Sequence, residues 1–201
     1  MDLNGSVPPT PRRDREPADL RRDILAAALS LFATNGYHQT TMQLIADRCG
    51  FSVGYLYKHF AGKDEMYREM VRDQLAAIAG FTAAARSQGL TPLEELRLVL
   101  RENAAHFNRQ RDFMRIFHQD LVAEAPEVAA AKRQHFADLV EMLARAQAEG
   151  EIAAVDPELL AAAIMGASVA LFREMAARPG EHPFDQLPDL VFRLLIDHIR
   201  I

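Results

Sequence analysis

Between residues 40 and 65 the chain gathers hydroxyls, aromatic rings and cations at spacings suited to a phosphate-bearing surface. The string is Thr40-Thr41-Met42-Gln43-Leu44-Ile45-Ala46-Asp47-Arg48-Cys49-Gly50-Phe51-Ser52-Val53-Gly54-Tyr55-Leu56-Tyr57-Lys58-His59-Phe60, followed by Gly62-Lys63-Asp64-Glu65. Thr41 falls in the first turn of a short helical pattern, where free backbone N–H groups and the helix dipole favour a phosphate. Ser52 opens a second short pattern. The N-terminal residues of such a helix, laid in a major groove, meet donors and acceptors that distinguish base pairs. Gly54 lets the backbone come close to a partner. Tyr55 offers a ring and a hydroxyl, suited to a thymine methyl or a phosphate. Tyr57, His59 and Lys63 suit phosphate contacts, which position a helix without reading sequence, and Lys58 adds a further cation. Gln43 can reach a base or a phosphate.

The elements that must hold these residues are helices. Leu20, Ile24, Ala27/Ala28, Leu31 and Phe32 repeat at helical spacing, predicting a helix from about Asp19 to Asn35, stopped by Asn35-Gly36. Thr40-x-x-Gln43 matches a capping box, so a second helix is expected to start at Thr40 and to end by Cys49-Gly50. Ser52 is the expected N-cap of a third helix, ending near Phe60, and Ala61-Gly62 breaks it. A fourth is expected over about Lys63–Ser87, with Asp64 and Glu65 favourably placed in its first turn. Thr91-Pro92-x-Glu94 then combines an N-cap, a Pro at the first helical position and a capping-box Glu. Further helices are expected over Asp112–Ala125, from Pro126 to Gly150, from Asp156-Pro157 to about Arg178-Pro179-Gly180, and from about Asp185 to Ile201. No strand-like alternation and no repeat occurs. The expected fold is all-α, nine helices in two domains. Residues 1–17, with four prolines and mixed charge, read as a disordered tail. In that tail Asp14 and Glu16 interleave with Arg12, Arg13 and Arg15, which weighs against a DNA arm.

The string resembles the DNA-binding signature of the TetR family of transcriptional regulators. Its Thr-Thr pair, Ile-Ala pair, Gly before an apolar residue and Ser, and Gly-x-Leu-Tyr-x-His-Phe segment stand in register, as does the Lys-Asp start of the fourth helix. Upstream, Ile24-Leu25-x-Ala27-Ala28-x-x-Leu31-Phe32-x-x-x-Gly36-Tyr37 matches too. The resemblance covers about Leu20 to Met66. It implies a three-helix helix-turn-helix head over residues 18–64 (motif about 41–60) and a ligand-binding and dimerisation bundle over 65–201. Val53 stands where many members carry Lys, Arg or a small polar residue, which removes one base contact and leaves the operator sequence open.

The last two helices fit dimerisation. Leu159, Ala163, Gly166 and Ala170 form one line, and small residues there let another helix approach. Leu187, Leu190, Val191, Leu194, Leu195 and Ile199 form a stripe, with Phe192 and Ile196 outside it. A terminal helix apolar on more than one face is buried on more than one side. A two-fold dimer also suits a palindromic site. On the middle helices, Phe107, Phe113, Phe117 and Phe136 gather with Met142, Met165 and Phe172. The resemblance places an inducer pocket among such helices, and these side chains favour an apolar or planar ligand, with His106 and His118 as added polar contacts. Ligand entry would tilt the fourth helix and lower operator affinity.

The net charge of −5 is unevenly spread. Residues 18–63 carry +2 and the chain from Asp64 onward −7, so the acidic total does not exclude DNA, because phosphates respond to nearby charges. A single cysteine, Cys49, excludes an intrachain disulfide and reads as a small buried hydrophobe. No signal peptide pattern and no 18-residue apolar run is found, and Leu159–Phe172 is too short to span a bilayer, so no membrane partner and a cytoplasmic location are expected. Nucleophile-elbow, zinc-protease and phosphate-loop motifs are absent, so no catalysis, cofactor or metal is expected. The remaining alternatives are an activator of the same family, and a ligand carrier or interaction module that does not bind DNA. Tyr57 as a plug of the three-helix core and His59 as a helix cap are the structural alternatives to DNA contact.

Overall fold

The computed structural model describes residues 17–117, 126–178 and 183–201. Its helices are α1 (Pro17–Asn35), α2 (Met42–Cys49), α3 (Val53–Tyr57), α4 (Lys63–Arg86), α5 (Pro92–Arg109), α6 (Arg111–Phe117), α7 (Pro126–Ala148), α8 (Pro157–Ala177) and α9 (Leu187–Val191). A 3₁₀ turn (Phe184–Gln186) precedes α9, and a π-helical turn (Phe192–Ile196) continues it. No strand occurs among the described residues, which hold one isolated bridge between Ile152 and Arg200. The chain divides into two compact units, the first ending at Met66 and the second beginning at Tyr67.

The first unit packs α1 on α2 and α2 on α3. Ile24, Ala28 and Phe32 of α1 close on Ile45, Ala46, Leu56, Phe60 and Met66, all buried. The helical spacing in the sequence is the cause: one apolar stripe per short helix, and three stripes make a core. One cap differs from expectation. Thr41, not Thr40, caps α2, its hydroxyl accepting from the Leu44 N–H at 3.2 Å. Thr40 is buried and donates to the carbonyls of Gly36 (2.9 Å) and Leu31 (3.2 Å), so its hydroxyl ties the α1–α2 turn instead. Gly50 closes α2 at φ 71°, a left-handed conformation that disfavours side chains with a Cβ. Ser52 caps α3 as expected, accepting from the Tyr55 N–H. The helix stops at Tyr57 rather than near Phe60.

In the second unit α5 packs on α7 and on α9, and α8 packs on α6, α7 and α9. The Thr91/Glu94 capping box forms at the start of α5. Glu95 is buried one turn in, 2.9 Å from Arg145 of α7 and 3.6 Å from Arg86 of α4. Asp156 caps α8, accepting from the N–H groups of Glu158 and Leu159. The terminal helix is shorter than the expected Asp185–Ile201. Its last turn widens, with Asp197 N–H bonding Phe192 O at 2.8 Å, and the segment beyond leaves the helix. There Ala153 N–H bonds Ile199 O (2.7 Å) and Ile201 N–H bonds Glu151 O (3.2 Å), which fastens residues 199–201 to the turn after α7. The expected extension of the sixth helix through 118–125 lies outside the described residues.

Contrary to the sequence expectation, α8 is long and apolar enough by length and composition to cross a bilayer. Its inward stripe of Ala161, Ile164, Phe172 and Met175 is buried in the bundle, while Leu159, Ala162, Ala163, Gly166 and Ala170 are exposed.

Candidate nucleic-acid interface

In the first unit one side of α2–α3 faces solvent. Leu56 and Phe60 are buried, and the intervening Tyr57 is 56% exposed. The helical turn thus assigns Leu56 and Phe60 to the core and turns Tyr57 outward, so Tyr57 does not plug the core. Lys58 and His59 are exposed beside it. Thr41, Gln43 and Ser52 are exposed, and Val53 is half-buried. Thr41 and Ser52 each spend a lone pair on their own helix start, which fixes both first turns. Gly54 is exposed, with nothing of the chain within 4 Å of where a Cβ would stand. A nucleic-acid backbone could approach there closely.

Three residues have more internal work than their types announce. The Tyr55 ring stacks on Phe51 (centroids 4.8 Å apart) and leans on His59 (4.7 Å), a ladder of rings four residues apart that runs along α3 from just before it to just after it. Gln43 donates to Asp47 at 2.7 Å. Lys63 is the plainest departure. Its Nζ donates to the carbonyls of Tyr37 (2.9 Å), Thr40 (3.1 Å) and His38 (3.4 Å) and lies 4.5 Å from the Tyr37 ring centroid. The Tyr37 hydroxyl in turn donates to Asp64. In this conformation Lys63 gathers the carbonyls of the α1–α2 turn rather than standing free for a phosphate.

Arg21 is a positioning residue whose role its charge alone does not show. Its guanidinium donates to the His59 carbonyl (2.8 Å) and covers the Phe60 ring at 4.0 Å, holding the end of α3. Only its spacing from Ile24 and Ala28 hinted at this inward edge. Its neighbour Arg22 is exposed.

In the second unit Phe107, Phe113, Met142 and Phe172 are buried, and Phe136 and Met165 half-buried. The Phe107 and Phe172 rings meet edge to face, 4.9 Å apart. His118 and the Phe117 side chain lie outside the described residues. Of the residues assigned to a dimer face, Leu159 (70%) and Leu194 (59%) are exposed, and Leu195 is half-buried. Leu187 and Val191 are a correction. Both are fully buried within the chain, because the α9 stripe that carries them packs on α5 and α8. Among the described residues no group of three or more His, Cys, Asp or Glu is placed to hold a metal ion.

A three-helix unit that exposes the N-terminal turn of its third helix, beside hydroxyls and cations, has the architecture of a helix-turn-helix. Comparison with known proteins sharpens this. Residues 24–70 match the family model described as bacterial regulatory proteins, tetR family, and residues 89–182 match a tetracyclin repressor-like C-terminal domain. The chain is 30% identical over 142 residues to the HTH-type transcriptional regulator UidR of Escherichia coli K12, covering 66% of this chain and 68% of that one. It is 37% identical over 90 residues to the HTH-type transcriptional repressor KstR2 of Mycolicibacterium smegmatis, a match spanning 45% of this chain and 42% of the repressor's length. Among solved structures it superposes on AibR in complex with isovaleryl coenzyme A and operator DNA, with a TM-score of 0.75 at 24% identity over 88% of this chain and 98% of that one. The chain belongs to the TetR family. It is a DNA-binding transcriptional regulator and not an enzyme.

Proposed function

We propose that the protein is a homodimeric repressor, in the cytoplasm, that binds a palindromic operator and leaves it when a small apolar ligand enters the second unit. The observation that carries the DNA half is the outward Tyr57 between the buried Leu56 and Phe60, with Ser52, Gly54, Lys58 and His59 open around it. Thr41, Gln43 and Val53 complete the contact face, and the Tyr55 hydroxyl belongs to it even though its ring is stacked. Repression rather than activation is supported by the likeness to the repressor KstR2. The ligand half rests on the buried Phe107, Phe113, Met142 and Phe172, with Phe136 and Met165 at their edge; that AibR, of the same fold, is found with isovaleryl coenzyme A supports a ligand there without fixing its chemistry.

The dimer half rests on the exposed line Leu159, Ala163, Gly166 and Ala170 with the exposed Leu194 and the half-buried Leu195. Nothing lies within 4 Å of a Cβ placed on Gly166, so a second helix has room to approach. Gly166→Glu is expected to convert a dimer into a monomer by sedimentation velocity. An unchanged dimer would remove this face from the proposal.

The function is tested by a gel-shift titration on DNA flanking the gene, with Tyr57→Ala as control. Saturable, competitor-resistant binding that the variant loses supports the reading. Binding no tighter than to random duplex would remove sequence specificity. A promoter fusion that rises on deletion of the gene marks a repressor, and one that falls marks an activator.

A further inference from the structure

Three buried polar atoms in the second unit have no hydrogen-bond partner among the described residues and are not explained by an ion pair: Asn103 Oδ1 on α5, His135 Nδ1 on α7 and Ser168 Oγ on α8. Asn103 as a whole is more than nine-tenths buried. Each stands in the inward stripe of its helix, Asn103 with Val99, Leu100 and Phe107, His135 with Val128, Leu139 and Met142, and Ser168 with Ala161, Ile164 and Phe172. An orphaned buried polar atom is costly, and native proteins seldom keep one without water, an ion or a ligand to meet it.

The helix registers bring the three to one level. Glu95 meets Arg145 at 2.9 Å, and the Leu93 N–H meets Glu151 just beyond α7 at 2.9 Å. So α5 begins where α7 ends, and the two run antiparallel. At about 1.5 Å per residue, the rise from Glu95 to Asn103 is matched by an equal retreat from Arg145, to about Ala137. Helices α7 and α8 pack on each other across a short turn, and counting equally from that turn sets Ser168 level with about Ala137 as well. His135 is within a turn of that level. The Phe107–Phe172 contact at 4.9 Å is an independent check, since each ring lies one turn beyond Asn103 and Ser168 respectively.

The chemistry of the three atoms narrows what they meet. Asn103 Oδ1 only accepts, so its partner must donate. Ser168 Oγ and His135 Nδ1 can each donate or accept. Burial pushes the His135 pKa down, opposed by Asp138, so the imidazole is neutral near pH 7. The other charged groups on these turns, Arg101, Glu102, Lys132, Arg133 and Arg173, are exposed. The buried Glu95–Arg145 pair is about two turns away. A carboxylate would leave Asn103 Oδ1 unmet and find no buried counter-ion. A hydroxyl both donates and accepts.

We infer that the ligand of the second unit carries a hydroxyl on an apolar body, bound where Asn103, His135 and Ser168 meet beside the Phe107–Phe172 pair. This rests on the ligand-binding reading above. The probes are cyclohexylmethanol, hexanol and decanol, each with its matching carboxylate and methyl ester, tested by calorimetry and thermal melting on the purified full chain. At least one alcohol is expected to bind about tenfold or more tighter than its carboxylate and its ester. The ester is neutral but lacks the donor, so it separates charge from donation. Asn103→Leu removes the orphan carbonyl. The unliganded variant is expected to melt about 2–6 °C higher, to bind the alcohol about tenfold or more weakly, and to keep the operator affinity of the parent. A purely structural asparagine would give the opposite sign on melting. Ser168→Ala serves as a second variant, with the same loss of preference for the alcohol. Carboxylate or ester bound as tightly as alcohol would overturn the inference and leave a ligand site standing. No probe bound by a protein that still binds its operator would overturn it too, assigning the three atoms to water. Loss of operator binding in the parent protein would instead strike the regulator reading.

Discussion

The two units handle their polar groups in opposite ways. In the first, Thr40, Thr41, Ser52, Lys63 and Arg21 all bond to backbone, and the residues that face outward lie on turns fixed by those bonds. In the second, Asn103, His135 and Ser168 each keep a buried atom with neither a hydrogen bond nor an ion pair, while Leu159 and Leu194 expose apolar surface. The difference teaches which surfaces await something. A DNA reader gains from a rigid face prepared before the duplex arrives, because little is then lost in ordering it. A sensing unit needs differential affinity between two states, and unmet groups supply it.

The largest expected effect would break the claim that Glu95 is a settled part of the second unit. Arg145→Met leaves a buried carboxylate with only Arg86, 3.6 Å away, and should cost about 3 kcal/mol in urea unfolding. That is the low end for a broken buried pair, because about a third of the Arg145 side chain is exposed. A cost under about 1 kcal/mol would place Glu95 with the unmet atoms. Next, Tyr57→Ala should lower operator affinity about tenfold or more and leave the melting temperature within a degree or so, since the ring is mostly exposed. A drop in melting without a change in binding would return Tyr57 to the core.

Lysines 58 and 63 separate prepared face from internal latch. Lys58→Ala should reduce the log–log salt slope of operator binding by about 0.9 per protomer. Lys63→Met should leave that slope unchanged and lower the stability of the first unit by about 1.5–3 kcal/mol, because it removes charge-assisted bonds to three carbonyls. Equal slope changes in the two variants would give Lys63 back its phosphate.

The smallest effect concerns pH. Burial, helped by Arg109, holds the His106 pKa below its ordinary 6.5, and burial holds that of His135 down as well. The unfolded chain therefore takes up protons first as pH falls. The stability tied to the neutral imidazoles is full above about 6.5 and declines below it, toward the lower folded values. His135→Gln should flatten the fall of the urea midpoint between about pH 7 and 5. A midpoint that rises on acidification would reverse the sign of burial at these sites.

The periodicity of Leu20 to Phe32 and the caps at Ser52, Thr91 and Asp156 were legible because a helix is a local object. Its start needs only one side chain within hydrogen-bond reach of the third residue on. The outward Tyr57 and Lys58 were legible for the same reason, since the four-residue spacing of Leu56 and Phe60 fixes the buried side. The bonds of Thr40 and Lys63 are not legible because their partners, Leu31, Gly36, Tyr37 and Thr40, come from another element, and no spacing along the chain reports a distance across a turn. For Leu187 and Val191 an apolar stripe states only that it is covered, not by what. Packing on α5 and α8 supplied the cover from within the same chain. The polar Asn103, in the stripe of Val99, Leu100 and Phe107, could have been flagged from the sequence as a break in the apolar pattern. Its meeting with His135 and Ser168 could not, because three helices set that level through the registers of Glu95 with Arg145 and of Phe107 with Phe172. Thus the sequence alone determined the helical class, the reading head and its outward residues, through rules that act over one or two turns. Tertiary structure decided which polar groups are spent, which apolar stripes remain open and where unmet atoms converge, because those depend on contacts between segments far apart in the chain.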